Sequence, residues 1–263
     1  MQLPSLLSVS IIALGDVKSS LVLRVSHVTF FPVERSLIVF SLFVSAERLW
    51  WWFAQPYLYG AIFAVRWIGG VKYRVLGLEN LPDEEDNQRI ILCPKHQSTW
   101  ETFFIPSMTP HPLAYVFKRE LLLIPFFGWA MARLDMVHID RSARSQAWIK
   151  VADLGVKLMD KGKWIIMFPE GTRTHRGRQG DYKNGAARLA LATGAKIIPI
   201  AVASGRCWPR KSWRFTPGVI DMSIGAPIVA LAGESPIELM ARVEAWIEAE
   251  MRVIDPLAYR QSQ

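Results

Sequence analysis

Arg89-Ile90-Ile91-Leu92-Cys93-Pro94-Lys95-His96-Gln97-Ser98-Thr99-Trp100-Glu101 sets the architecture. Its apolar run, Arg89 to Cys93, is short, rich in isoleucine and stopped by proline, which suits a buried strand. A polar loop follows, and then a helix over Thr99 to Met108 for which Ser98 or Thr99 is the candidate cap. The same stretch sets a histidine five residues before a carboxylate. That spacing is not the three or four residues that share a helix face, so it fits a loop histidine, His96, with Glu101 on the first turn of the helix. A neutral imidazole accepts a proton from an alcohol near neutral pH, and a carboxylate on its other nitrogen fixes the tautomer and stabilises the imidazolium. His96 and Glu101 are therefore the candidate chemical centre.

Working outward, short strand-like runs alternate with helical ones from Gly69-Gly70 onward, the pattern of an α/β domain. Strands are expected at Val71 to Leu76, Arg89 to Cys93, Leu113 to Phe117, Met136 to Ile139, Trp164 to Phe168, Lys196 to Ala203 and Val219 to Ile224. Helices are expected near Thr99 to Met108, Pro125 to Arg133, Ser142 to Asp160 and Gly185 to Ala192. Ser235-Pro236-Ile237-Glu238 reads as a capping box with proline at the first helical position, opening a last helix through Met251. Leu81 to Asp86 reads as an acidic surface turn. The expected organisation is an apolar segment over residues 1–70, an α/β domain over 71–255 and a tail over 256–263.

A chain of 263 residues with 51% hydrophobic and 21% charged composition buries a core of its own and is not disordered. Its net charge of +8 points to an anionic partner, and 11 tryptophans with a mean hydropathy of +0.18 favour a lipid surface. Two cysteines, Cys93 and Cys207, make no disulfide framework, and both are expected as free thiols in a reducing compartment. Cys93 closes an apolar run and reads as a buried wall residue rather than a nucleophile. The remaining histidines, His27, His111, His138 and His175, lack ligand-like spacing, and no metal site is expected.

No Lys or Arg precedes Lys18, so the positive start of a secretory signal is missing. Leu49 to Val65 is seventeen residues without a charge, preceded by the apolar Leu37 to Ala46. A helix of that length reaches ~25 Å, short of the ~30 Å hydrocarbon core of a bilayer. Joining the runs would place Glu47-Arg48 near mid-membrane, and Pro56 would break or kink the helix. Two apolar helices over about residues 37–68, lying in one leaflet with Trp50, Trp51, Trp52, Tyr57, Tyr59 and Trp67 at the interface, are preferred. A single tilted transmembrane helix and a buried core helix are the alternatives.

Three further blocks carry chemistry. Phe168-Pro169-Glu170-Gly171-Thr172-Arg173 follows a strand directly, where α/β sheets place ligands, and Arg173 offers the bidentate geometry that suits phosphate. Lys118 and Arg141 end two other strand-like runs and extend this into a candidate anion site, with solvated or snorkelling charge as the plainer reading. Between Asp181 and Asp221 there is no acid, while Lys183, Arg188, Lys196, Arg206, Arg210, Lys211 and Arg214 interleave with Trp208 and Trp213. That mixture fits an anionic membrane, or the phosphates of coenzyme A or an acidic carrier protein. The apolar first third argues against nucleic acid.

In order and spacing, His96 to Glu101, Gly128 to Arg141, Phe168 to Arg173 and Ile198-Pro199-Ile200 resemble the four motif blocks of the glycerolipid acyltransferase family, most closely its bacterial 1-acyl-sn-glycerol-3-phosphate acyltransferases. The likeness covers roughly residues 70 to 225 and departs at one point, since the family's usual acid is aspartate and here it is Glu101. It implies a single mixed-sheet α/β acyltransferase domain. It also implies transfer from acyl-CoA or acyl carrier protein to the hydroxyl of lysophosphatidic acid, with no cofactor and no acyl-enzyme, at the cytoplasmic side of the inner membrane. His96 would be the general base and Glu101 its orienter. Arg173, with Lys118 and Arg141, would hold the acceptor phosphate in a pocket shaped by Glu170, Gly171 and Thr172. Backbone amides after His96 would be oxyanion donors. The rivals are the same fold on glycerol 3-phosphate or a lyso-aminolipid, a thioesterase, and a membrane-peripheral binding protein without chemistry. Oligomeric state is left open.

Overall fold

The computed structural model describes residues 44–83, 88–118, 132–139, 144–212 and 214–259; of Lys118, His138, Ile139 and residues 144–150 it describes the backbone alone. Strands β1 (Val71–Leu76), β2 (Ile90–Pro94), β3 (Leu113–Lys118), β4 (Val137–Ile139), β5 (Trp164–Ile166), β6 (Lys196–Val202) and β7 (Gly218–Ile224) form one sheet in the order β1-β7-β6-β2-β5-β3-β4. The ladders are parallel except between β6 and β7, so β1 and β7 run against the rest and the sheet is mixed. Every residue of β2 is buried, as expected of a central strand covered on both faces.

Alternation along β2 divides the core. Ile91 and Cys93 join one buried cluster, and Ile90 and Leu92 another on the opposite face. The first is covered by α4 (Arg144–Met159), α5 (Gly185–Thr193) and α6 (Pro236–Ile254), from which Leu158, Leu189, Val243 and Ile247 enter it. The second is covered by α3 (Trp100–Met108), whose Trp100 and Phe104 stack at 4.2 Å, and by the N-terminal helical stretch. The capping box forms: Ser235 Oγ accepts from the Glu238 N–H, and the Glu238 carboxylate accepts from the Ser235 N–H. The chain ends its described part in α7 (Pro256–Tyr259).

The N-terminal stretch differs in detail from the expected pair of helices. It comprises α1 (Ala46–Leu49), a π-helical turn (Trp50–Ala54) and α2 (Gln55–Trp67), so the helical path runs through Pro56. A proline removes one amide from the ladder, and the wide turn absorbs this by pairing Gln55 N–H with the Trp50 carbonyl. Trp50 is buried against the domain core, away from any interface, whereas Trp52, Tyr57, Tyr59, Phe63 and Trp67 are exposed. Among the described residues no helix is long and apolar enough to cross a membrane. Residues 1–43 of the expected apolar segment, and most of the helix expected at Pro125 to Arg133, lie outside the described residues.

Candidate active site

Because β2, β3, β4, β5 and β6 are mutually parallel, their C-terminal ends open on one edge of the sheet. The chain leaves β2 after a last ladder bond from Lys95 N–H to the Ile200 carbonyl, at 2.8 Å, and His96 stands at the mouth of the following loop. Its Nδ1 lies 3.0 Å from Glu101 Oε1, which leaves Nε2 for proton chemistry.

Glu101 is fully buried on the first turn of α3 and is held by two sets of donors. Oε1 accepts from the Gln97 and Ser98 amides, each at 2.7 Å, and Oε2 accepts from the Ser98 hydroxyl at 2.9 Å and the Ser204 hydroxyl at 2.7 Å. Burial alone would raise its pKa; the hydrogen bond and charge of His96, with those from Ser204 and Ser98, outweigh burial and hold the carboxyl below its ordinary value. A buried anion so placed fixes the imidazole tautomer and stabilises the ring when it gains a proton.

Of the two candidate caps the structure selects Ser98, whose Oγ accepts the Trp100 N–H at 2.8 Å, while Thr99 occupies the N-cap position of α3 without a side-chain cap bond. One expectation is corrected. The amides of Gln97 and Ser98 are not open for an oxyanion, since the Glu101 carboxylate, reaching back over the loop, accepts from both.

The block after β5 grips His96 from three sides. Phe168 stacks on the imidazole with ring centroids 3.9 Å apart, Glu170 Oε2 accepts the His96 N–H at 2.9 Å, and the Thr174 N–H and hydroxyl donate to the His96 carbonyl at 2.7 and 3.1 Å. A turn closed by Gly171 N–H to the Phe168 carbonyl makes this possible, with Gly171 at φ 64°, where a side chain is disfavoured. Glu170 is turned into the protein rather than toward solvent: Lys95 Nζ donates to its Oε1 and to Glu248 Oε1, each at 2.6 Å, and Tyr182 donates to Glu248 at 2.8 Å. One ammonium thus serves two carboxylates. Burial, unmatched by the attraction of a lysine that Glu248 also claims, raises the Glu170 pKa.

Arg173 is half-buried at the end of this turn and forms no ion pair with the described residues; Thr172 beside it is exposed. Lys118 is the last residue of β3, so its backbone reaches the same edge, while Arg141 lies outside the described residues. Among the described residues no group of three His, Cys, Asp or Glu side chains could hold a metal. Burial raises the pKa of the Cys93 thiol and keeps it neutral in the wall. Lys95, Thr174 and Ser204 had no role in the sequence reading. Ser204 carried a usable signal, since it follows a strand end as the other site residues do.

With this geometry in view, the chain matches the Acyltransferase family model over residues 72–203, a span that contains His96, Glu101 and Phe168 to Arg173. It is 42% identical over 205 residues to a 1-acyl-sn-glycerol-3-phosphate acyltransferase of Pseudomonas aeruginosa, covering 77% of each chain. It is 32% identical over 143 residues to a chloroplast enzyme of the same name from Arabidopsis thaliana, covering 54% of this chain and 39% of that one. Its fold is similar to the crystal structure of the 1-acyl-sn-glycerophosphate acyltransferase from Thermotoga maritima, with a TM-score of 0.67 at 24% identity, covering 84% of this chain and 88% of that one.

Proposed function

Because the chain belongs to the acyltransferase family whose model spans residues 72–203, we propose that it moves a fatty acyl group from a thioester donor to the free hydroxyl of 1-acyl-sn-glycerol 3-phosphate, giving phosphatidic acid. The observation that carries the chemistry is the His96 Nδ1 to Glu101 Oε1 contact at 3.0 Å, with the carboxylate buried and saturated by donors. The likeness to the Pseudomonas protein supports the choice of acceptor.

In the proposed reaction, His96 Nε2 takes the proton of the acceptor hydroxyl as its oxygen attacks the thioester carbonyl. The resulting imidazolium is stabilised by Glu101. Collapse of the tetrahedral intermediate breaks the C–S bond, and the proton on His96 passes to the leaving thiolate. Ester and free thiol are the products, and the step balances with two substrates and no resident cofactor. Arg173, with Lys118 and Arg141, holds the acceptor phosphate as a charge-assisted ligand set. Gly171 and Thr172 give the turn its shape, and Glu170 holds it to His96.

The donor is acyl-CoA or acyl carrier protein, and the acceptor is drawn from membrane phospholipid. The exposed aromatic face of α2 supports seating on a membrane leaflet, with the acyl chain left in lipid while the head group enters the site; the cytoplasmic side of the inner membrane is the location proposed. An assay of free-thiol release from acyl-CoA against a panel of acceptors tests the assignment. Release that depends on lysophosphatidic acid is expected. Release without acceptor would indicate a thioesterase, preference for glycerol 3-phosphate or a lyso-aminolipid would reassign the substrate, and none with any acceptor would leave a binding protein.

A further inference from the structure

The loop between the 3₁₀ turn Ser204–Arg206 and β7 contains features that the proposed reaction does not use. Arg210, Lys211 and Arg214 lie in it, and among the described residues none of them meets a carboxylate. The nearest acids along the chain are Asp181, already paired with Lys183, and Asp221, already shared between Arg74 and Arg206. Among the described residues, these three cations are therefore presented with no anion to neutralise them. Lys211 sits at φ 59°, in the left-handed region where glycine or asparagine is favoured over lysine.

The loop is also apolar, and its apolar part adjoins α2. Trp208 donates its indole N–H to the Ser212 carbonyl at 2.8 Å and packs edge-on against Phe215 with centroids 4.4 Å apart. A methyl group placed on Gly69, just after α2, would come 3.5 Å from the Phe215 ring, and one on Gly70 would come 3.1 Å from Pro217. The loop is tied there by Gly218 N–H to the Gly70 carbonyl. Phe215 thus abuts the end of α2, where Trp67 and Ile68 stand more than two-thirds exposed. Along the loop, Trp208 and Phe215 flank arginine and lysine that meet no carboxylate among the described residues.

We propose that residues 208–212 and 214–217 form a second membrane-contact element that recognises anionic phospholipid headgroups, working beside the aromatic face of α2. The occupant is an anionic bilayer because the charge is uncompensated and continuous with apolar groups that water solvates poorly. The inference rests on the membrane-borne acceptor proposed above, and it adds a preference for negatively charged lipid, the class to which the proposed product belongs. A cation near an anionic surface is worth roughly a fivefold factor in partition, so three give about 100-fold.

The test uses the full chain and vesicles of phosphatidylcholine alone or mixed with phosphatidylglycerol, comparing wild type with Arg210→Gln/Lys211→Asn/Arg214→Gln. Asparagine suits the left-handed position, and Lys211→Asn alone, checked for an unchanged melting temperature, guards against a folding artefact. The triple variant should partition about 100-fold less onto anionic vesicles, lose the salt dependence shown by wild type, and match wild type on phosphatidylcholine. Thiol release in detergent should stay unchanged. Wild-type partition by the triple variant on anionic vesicles would overturn the proposal. So would intact vesicle binding with a raised KM for acyl-CoA or acyl carrier protein, which would give the loop to the donor. Absence of lysophosphatidic acid-dependent thiol release by wild type would sink the reaction while leaving vesicle partition to judge the loop.

Discussion

Glu101 carries the tightest constraint in the site. Two amides, two hydroxyls and one imidazole converge on its two oxygens, and all depend on a carboxylate reaching back from the first turn of α3. Aspartate is the family's usual acid, yet here Glu101→Asp would withdraw the carboxylate by ~1.5 Å and break the 3.0 Å contact with Nδ1. We expect turnover to fall about 100-fold, the scale of a 1 Å misplacement of a catalytic group, with the thermal midpoint also lowered. Wild-type turnover by the aspartate variant would show that the longer arm is unused. Arg173, half-buried and unpaired among the described residues, has a different signature. Arg173→Ala should mainly raise the KM for lysophosphatidic acid, leaving that for acyl-CoA near wild type; unchanged acceptor dependence would remove it from the phosphate site.

At the scale of elements, the helix α6 is tied to the His96 loop through Lys95, whose buried ammonium spans Glu170 and Glu248. Lys95→Met would strand two buried carboxylates, which costs about 3–5 kcal/mol at neutral pH. The pH dependence follows from Glu170. Its folded pKa already lies above the ordinary value, and without Lys95 it rises further, so the folded state gains stability as pH falls through that raised value. Melting curves should therefore show the deficit of Lys95→Met shrinking from neutral pH toward the carboxylate range; a constant deficit would contradict the assignment.

The elements themselves were largely legible. Proline and glycine bound the strands, and the alternation of short apolar runs with helical ones reports an α/β sheet. Trp164 to Phe168 overran, because the ladder ends at Ile166 with one further bond from Met167 N–H to the Leu92 carbonyl before Pro169 turns the chain. The π-helical turn before Pro56 was not legible, since several backbone geometries relieve a missing amide and composition does not choose among them.

Over the whole molecule, what the sequence could not supply is distance. His96 and Glu101 are five residues apart and could be paired on paper. Ser204 reaches Glu101 across 103 residues, and Lys95 reaches Glu248 across 153, only because β6 lies beside β2 and α6 packs over that face. Strand order arises from long-range pairing that no local pattern encodes. Even so, the turn that carries Glu170 and Arg173 was legible, because a turn at a strand end is a local signal and the parallel sheet gathers such turns on one edge. The gathered residues make one claim: His96 removes the acceptor proton with Glu101 behind it. His96→Ala, assayed for lysophosphatidic acid-dependent thiol release from acyl-CoA, tests it most directly. The account predicts a loss of at least about 100-fold with a native circular dichroism spectrum; wild-type release by the folded variant would contradict it.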